Sequence, residues 1–227
     1  MLRGMTGVMP VYLEGGKHRV FACALEWPGW CRAGRDEASA LAALAAYAPR
    51  YAPVAAEAGV AFPSEAEASF DVVERLAGTA TTDFGAPDVV ATADAAPLTE
   101  PKARQLGALV KASWVILDRV VAAAPAELRK GPRGGGRDRD KIAEHVLAAE
   151  TAYGRKLGLR GLKQPALDDT AAIATLRGAI VATLIEAAVQ ASTPAGQWPP
   201  RYAARRIAWH VLDHAWEIED RSTPAPV

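Results

Sequence analysis

Near Thr99 the hydrophobic periodicity of this 227-residue chain changes, and no other feature restricts its fold as much. Upstream, apolar residues fall in short runs broken by turn residues. Downstream, they recur every three or four residues over four long stretches. A period near 2 builds a sheet surface and a period near 3.6 builds a helix stripe, so the two segments must bury their apolar side chains differently. The expectation is a multi-domain chain, α+β over residues 1–96 and all-α over residues 97–227, with DAAPLTEP at the boundary. Half of the residues are apolar, enough at this length for one large core or two modest ones.

In the first segment, VYLEGGKHRVFACAL reads as two strands separated by Gly15-Gly16, a hairpin signal. EWPGW supplies a Pro-Gly turn, and Glu37 to Ala48 is so rich in alanine and leucine that a helix is expected. SFDVVERLAG alternates as a strand, and DVVATAD is expected as a further short one. The resulting unit is a small antiparallel sheet with a helix packed on it.

In the second segment Thr99 is placed to cap a helix with Pro101 in its first turn. Its stripe runs through Leu106, Leu109, Val110, Trp114, Leu117 and Val121 and ends near Ala124-Pro125. The basic LRKGPRGGGRDRD stretch is expected as a mobile, exposed connection. It lacks the spacing of a phosphate-binding loop and follows no strand. Three more helices are expected over Asp138–Leu157, Asp168–Ala191 and Tyr202–Asp220, the third capped by Asp168 or Asp169 and the fourth introduced by the PPR segment. Four amphipathic helices bury their stripes by packing as an up-down bundle, and the terminal STPAPV is expected to fray.

Charge names no partner, because 26 basic residues balance 26 acidic ones, and neither nucleic-acid binding nor a disordered acidic tail is expected. The N-terminal MLRGMTGVMPVYLEGG lacks the apolar run of a signal peptide. No stretch is read as the roughly 20 apolar residues a membrane span needs, so a soluble cytoplasmic protein is expected. Cys23 and Cys31 match neither a disulfide framework nor a zinc-binding pair and are expected as ordinary buried or half-buried thiols. Oligomeric state is left open, with a homodimer the commonest form.

The stretch RIAWHVLDHAWEIEDR places His210 and His214 four apart, within the apolar stripe of Ile207, Val211 and Ile218. At that spacing their Cβ atoms lie about 5–6 Å apart, close enough for both imidazoles to reach one metal ion at about 2.0–2.1 Å. On the second helix His145 shares a stripe with Ile142, Val146, Ala149 and Tyr153, which directs it to the same interior. Two readings stand: three core histidines each satisfied by its own hydrogen bond, or three ligands of one metal.

DKIAEHVLAAE and WHVLDHAWEIEDR resemble the DinB-like metal-binding four-helix bundles over about residues 98–221. That family includes mycothiol-dependent maleylpyruvate isomerases and related thiol transferases. The resemblance implies a divalent metal, zinc or nickel, on His145, His210 and His214. It also implies a small-molecule substrate and a low-molecular-weight thiol such as mycothiol. More weakly, VYLEGGKHRVFACALEWPGWCRAGRDEASALAAL is similar to the HicB-like antitoxin domain, which implies a hairpin, a turn and a packed helix. No DNA-binding segment follows it, so any such role would rest on protein binding alone.

Three neutral imidazoles leave a metal positive and with open positions, as in catalytic zinc sites. A water there would have its pKa lowered toward roughly 7, and a thiol would be held as thiolate, so hydrolysis and thiol transfer are both available. The metalloprotease pattern is absent, because Val211 follows His210 where glutamate is required. Glu144, Asp213, Glu217 and Asp220 are the carboxylates nearest in sequence, and Glu217, at i+3 from His214, is the candidate to orient a ligand or accept a proton. Arg206 and Arg221 are candidates to attract a carboxylate substrate, and Trp114, Tyr153 and Trp209 to line a pocket mouth; the alternatives are surface cations and core or rim aromatics. The leading expectation is a metal-dependent thiol transferase, isomerase or hydrolase. The alternative is a non-enzymatic, partner-binding stress-response or toxin-antitoxin-like module.

Overall fold

The computed structural model describes residues 8–63, 69–130 and 136–222. In chain order they form β1 (Met9–Gly15), β2 (Val20–Ala24), β3 (Cys31–Gly34), α1 (Glu37–Ala46), α2 (Ala48–Glu57), β4 (Phe70–Ala77) and α3 (Ala80–Phe84). A 3-10 turn over Thr92–Ala95 follows, then α4 (Glu100–Ala123), α5 (Arg139–Lys156), α6 (Thr170–Ala188) and α7 (Pro200–Ser222). Residues 131–135 of the expected LRKGPRGGGRDRD connection and residues 223–227 of the expected STPAPV tail lie outside the described residues.

The hairpin forms at Gly16, whose N–H donates to the Arg19 carbonyl at 2.9 Å, with Val11 opposite Ala24 and Gly15 opposite Val20. The sheet order is β3-β2-β1-β4, and β4 runs parallel to β1. The sheet is therefore mixed, which corrects the antiparallel expectation. A parallel neighbour needs a crossover of about a dozen residues or more, and α1 with the unexpected α2 supplies it. Pro49 and Pro53 conceal α2 in the sequence, although Pro49 sits in the first turn, where its missing N–H is tolerated.

DVVATAD is not a strand. The fully buried Glu14 of β1 accepts the backbone N–H groups of Asp88 and Val89, at 2.9 to 3.0 Å, and the Asp94 carboxylate accepts the N–H of Ala91. Donors committed to carboxylates cannot enter a ladder, so this segment folds as a turn.

Alternation along β1 sends Val11 and Leu13 into a cluster with Trp30, Leu44, Tyr51 and Val54, whereas Tyr12 packs with Phe21 and Cys23 on the other face. Both clusters also take side chains from the long C-terminal helix: Leu212 and Trp216 enter the first and Trp209 the second. Ion pairs reinforce that junction. Arg205 grips both carboxylate oxygens of Asp94 at 2.6 Å, and Arg32 meets Asp213 at 3.0 Å.

The four long helices α4 to α7 pack around Leu106, Val110, Ile142, Val146, Ile180, Leu184, Ile207 and Val211. Their observed limits fall within three residues of the expected ones. Thr99 occupies the cap position of α4, and Asp169 caps α6 by accepting the Ala172 N–H at 2.9 Å. In α6 the sequence expectation needs amending: over 19 residues its mean hydropathy reaches 1.6, long and apolar enough to cross a membrane by length and composition. Here it packs in the bundle, burying Leu176, Ile180, Leu184 and Ala188.

Candidate metal centre

Helix α5 contributes His145 and α7 contributes His210 and His214. The apolar residues around each histidine explain the convergence: Ile142 and Val146 seat α5 in the bundle core while Ile207, Val211 and Ile218 seat α7. The ring centroids are 5.0 Å apart for His145 with either partner and 4.7 Å apart for His210 with His214. One ligand nitrogen from each ring lies within 4.8 Å of the other two.

The donor set suits a divalent ion. Nε2 of His145 and Nε2 of His210 face each other at 3.2 Å. Two nitrogens held about 2.0–2.1 Å from a shared tetrahedral or octahedral ion are separated by roughly 2.9–3.4 Å. On the third ring, Nδ1–H of His214 donates to Oε2 of Glu217 at 2.8 Å, which leaves Nε2 as the nitrogen with a lone pair. Burial, with the neighbouring His214, His145, Arg206 and Arg137, pushes the His210 pKa well below the usual imidazole value. His145 is lowered too, chiefly by burial and His214. Both rings are thereby held neutral, the form that can ligate a metal.

The carboxylates considered from sequence divide sharply. Glu217 accepts from His214 through one oxygen and from Arg221 through the other, at 2.6 Å, and these contacts hold its carboxyl below the usual range. Glu144 is half-buried and pairs with Lys141, Asp213 pairs with Arg32, and Asp220 meets Arg50 at 3.0 Å. Arg221 is thus committed to Glu217, and its Nε donates to the Arg129 carbonyl.

The three aromatics also separate. Trp114 lies in the bundle core beneath Arg177, whose guanidinium is 5.3 Å from the ring. Tyr153 stands beside the centre, 5.8 Å from the His210 ring, and Trp209 is 6.2 Å from that ring while packing toward the sheet. Two residues at the centre carried no sequence signal. Arg137 acts electrostatically on His145 and His210, and the Trp198 ring packs at a tilt, 5.2 Å from Tyr153. Cys23 and Cys31 are buried free thiols on adjacent strands, remote from the histidines in the contacts they make, with sulfurs 2.7 Å apart.

Comparison of the chain with protein families, with curated proteins and with solved structures finds no match.

Proposed function

We propose that this protein is a metal-dependent enzyme of the DinB-like kind, a thiol transferase, isomerase or hydrolase of small molecules. Its zinc or nickel ion would be held by His145, His210 and His214. The observation that carries the reading is the convergence of three imidazoles from two helices, one of them oriented by a carboxylate. A three-histidine set leaves coordination positions open, and a divalent ion there would supply Lewis acidity to a water or a low-molecular-weight thiol.

The chain's own residues would do the rest. His214 is fixed in one tautomer by Glu217, and Glu217 is in turn held by Arg221, so the ligand cannot rotate away. With both oxygens engaged and its proton affinity lowered, Glu217 fits a positioning role better than that of a general base. Tyr153 and Trp209 flank His210 and limit solvent on that side.

Metal analysis of the purified full chain tests the reading. About one divalent ion per chain is expected, with occupancy lost in His210→Ala/His214→Ala. Protein that neither contains nor takes up zinc or nickel would sink it.

A second reading, a module that binds a protein partner through the HicB-like half, is favoured by β4. Among the described residues this strand pairs only with β1, and Val73 on it is 51% exposed. Thiol-dependent turnover by the metal-loaded protein would argue against that reading.

A further inference from the structure

Each of the helices α4, α5 and α6 holds one glycine, and two of the three have a reason inside the fold. A Cβ on Gly107 of α4 would come within 2.7 Å of the Ile185 side chain, and one on Gly154 of α5 within 2.6 Å of Leu162. Gly178, at the middle of α6, is different: a Cβ there would meet nothing within 4 Å among the described residues. Its backbone is helical, so no left-handed turn requires it either. Glycine inside a helix loses more backbone freedom on folding than alanine and weakens the helix. Where nothing in the chain needs a glycine, close approach by something outside the chain accounts for it.

The residues around Gly178 indicate what approaches. Ala171, Ala174, Gly178 and Ala182 are exposed and Ile185 is half-buried. At about 100° per residue all lie within about 40° of Gly178 around the helix, turned away from the core stripe of Leu176, Ile180 and Leu184. Their spacings of 3, 4, 4 and 3 residues read the same in both directions. Leu167, just before the helix, and Val189, at its C-cap, extend the symmetry: each stands 11 residues from Gly178, and they are 36% and 39% exposed. A two-fold interface requires this property, since a residue that meets another on the partner must also be met by it. Reversing α6 about Gly178 lays Ala174 on Ala182, Ala171 on Ile185 and Leu167 on Val189 of a second copy.

Charge does not oppose that pairing. Arg177 is turned to Glu150 and Asp118, and Glu186 lies near one end of α6, so the two copies carry it at opposite ends. The apolar face is two helices wide, because it continues from Val181 across a groove to Val115 and Val121 of α4. A strip about 28 Å long and about 20 Å wide offers about 550 Å² per copy, so a pair covers about 1,100 Å², just above the roughly 1,000 Å² of a specific interface. A lipid surface fits less well. Helices that lie in lipid present bulky Leu, Phe or Trp, whereas alanine and glycine let a second backbone pack closely.

We infer that α6 is the dimerisation helix of this protein, packed antiparallel against α6 of a second copy with Gly178 on the two-fold axis. None of these residues belongs to the histidine centre, and the dimer goes beyond the metal-enzyme reading without depending on it.

The test is sedimentation equilibrium of the full chain from micromolar to submillimolar concentration, where the unaltered protein should show a monomer–dimer equilibrium. Gly178→Glu sets two like charges together at the axis and should weaken the dimer about tenfold or more. Its circular dichroism should be unchanged, because the position is open in the single chain. Cross-linking by oxidised glutathione reads the direction of packing. Gly178→Cys should form a disulfide with its own counterpart. Ala182→Cys should not, because antiparallel helices hold its two copies about 12 Å apart along the axis, beyond the Cα separation of about 7 Å that a disulfide spans. A protein that is monomeric throughout, a dimer whose affinity Gly178→Glu leaves within about twofold, or equal cross-linking at both positions overturns the proposal. A monomer that instead sediments with phosphatidylcholine vesicles assigns the face to lipid and overturns it as well.

Discussion

Glu217 accepts the Nδ1 proton of His214 at 2.8 Å, one turn along α7, and this single contact decides which nitrogen of His214 keeps its lone pair. Arg221, a further turn on, grips the other oxygen of Glu217. The three residues form a relay in which each fixes the orientation of the one before it.

Removing that support should weaken the centre without unfolding the protein. Glu217→Gln keeps the shape but cannot hold the tautomer as firmly, and zinc affinity should fall about 10–100-fold. Competition with a chelator of known affinity measures it, and an unchanged zinc affinity would assign Glu217 to the surface.

The stability of the metal-free protein should depend on pH in the imidazole range. His210 is held well below the usual value of 6.5, and His145 is lowered in the same direction. The unfolded chain therefore takes up protons that the folded chain refuses. The associated stability is fully present above about pH 6.5 and declines as the pH falls from there toward the folded-state values. Glu217, also depressed, acts in the same direction at lower pH, below the usual carboxylate range. Urea unfolding at pH 7.5 and pH 5.5 should show the loss, His210→Gln should reduce it, and zinc should move it to lower pH.

The Arg205–Asp94 pair should behave as a buried bidentate bridge between α7 and the turn after β4. Its side chains are 6% and 0% exposed, so removing either partner leaves an uncompensated buried charge. Arg205→Met or Asp94→Leu alone should cost about 3–5 kcal/mol, and the double substitution should recover much of it. Denaturant unfolding of the two single variants and the double variant closes the cycle.

Leu212 lies on α7 yet is fully buried in the cluster built on β1, α1 and α2. Leu212→Ala should therefore destabilise by about 2–5 kcal/mol and shift sheet and helix signals together. Separate transitions, with only the helical signal moved, would show that the two cores unfold independently.

Local sequence was enough to place α1, the four long helices and the three side chains that meet at the centre. Helical spacing is a local property, so the stripes of Ile207, Val211 and Ile218 and of Ile142 and Val146 already placed His210, His214 and His145 inward, and the four long helices fell within three residues of their expected ends. What depends on distant partners was not legible. The parallel pairing of β4 with β1 required α2, which its prolines concealed. The DVVATAD segment became a turn because Glu14, more than seventy residues earlier, captured its N–H groups. The arginine side chains of α7 looked alike in sequence, and packing alone gave Arg205 to Asp94 and Arg221 to Glu217. Periodicity fixes the face on which a side chain lies, but its partner is chosen by what the rest of the chain brings within hydrogen-bonding distance, and only tertiary structure decides that.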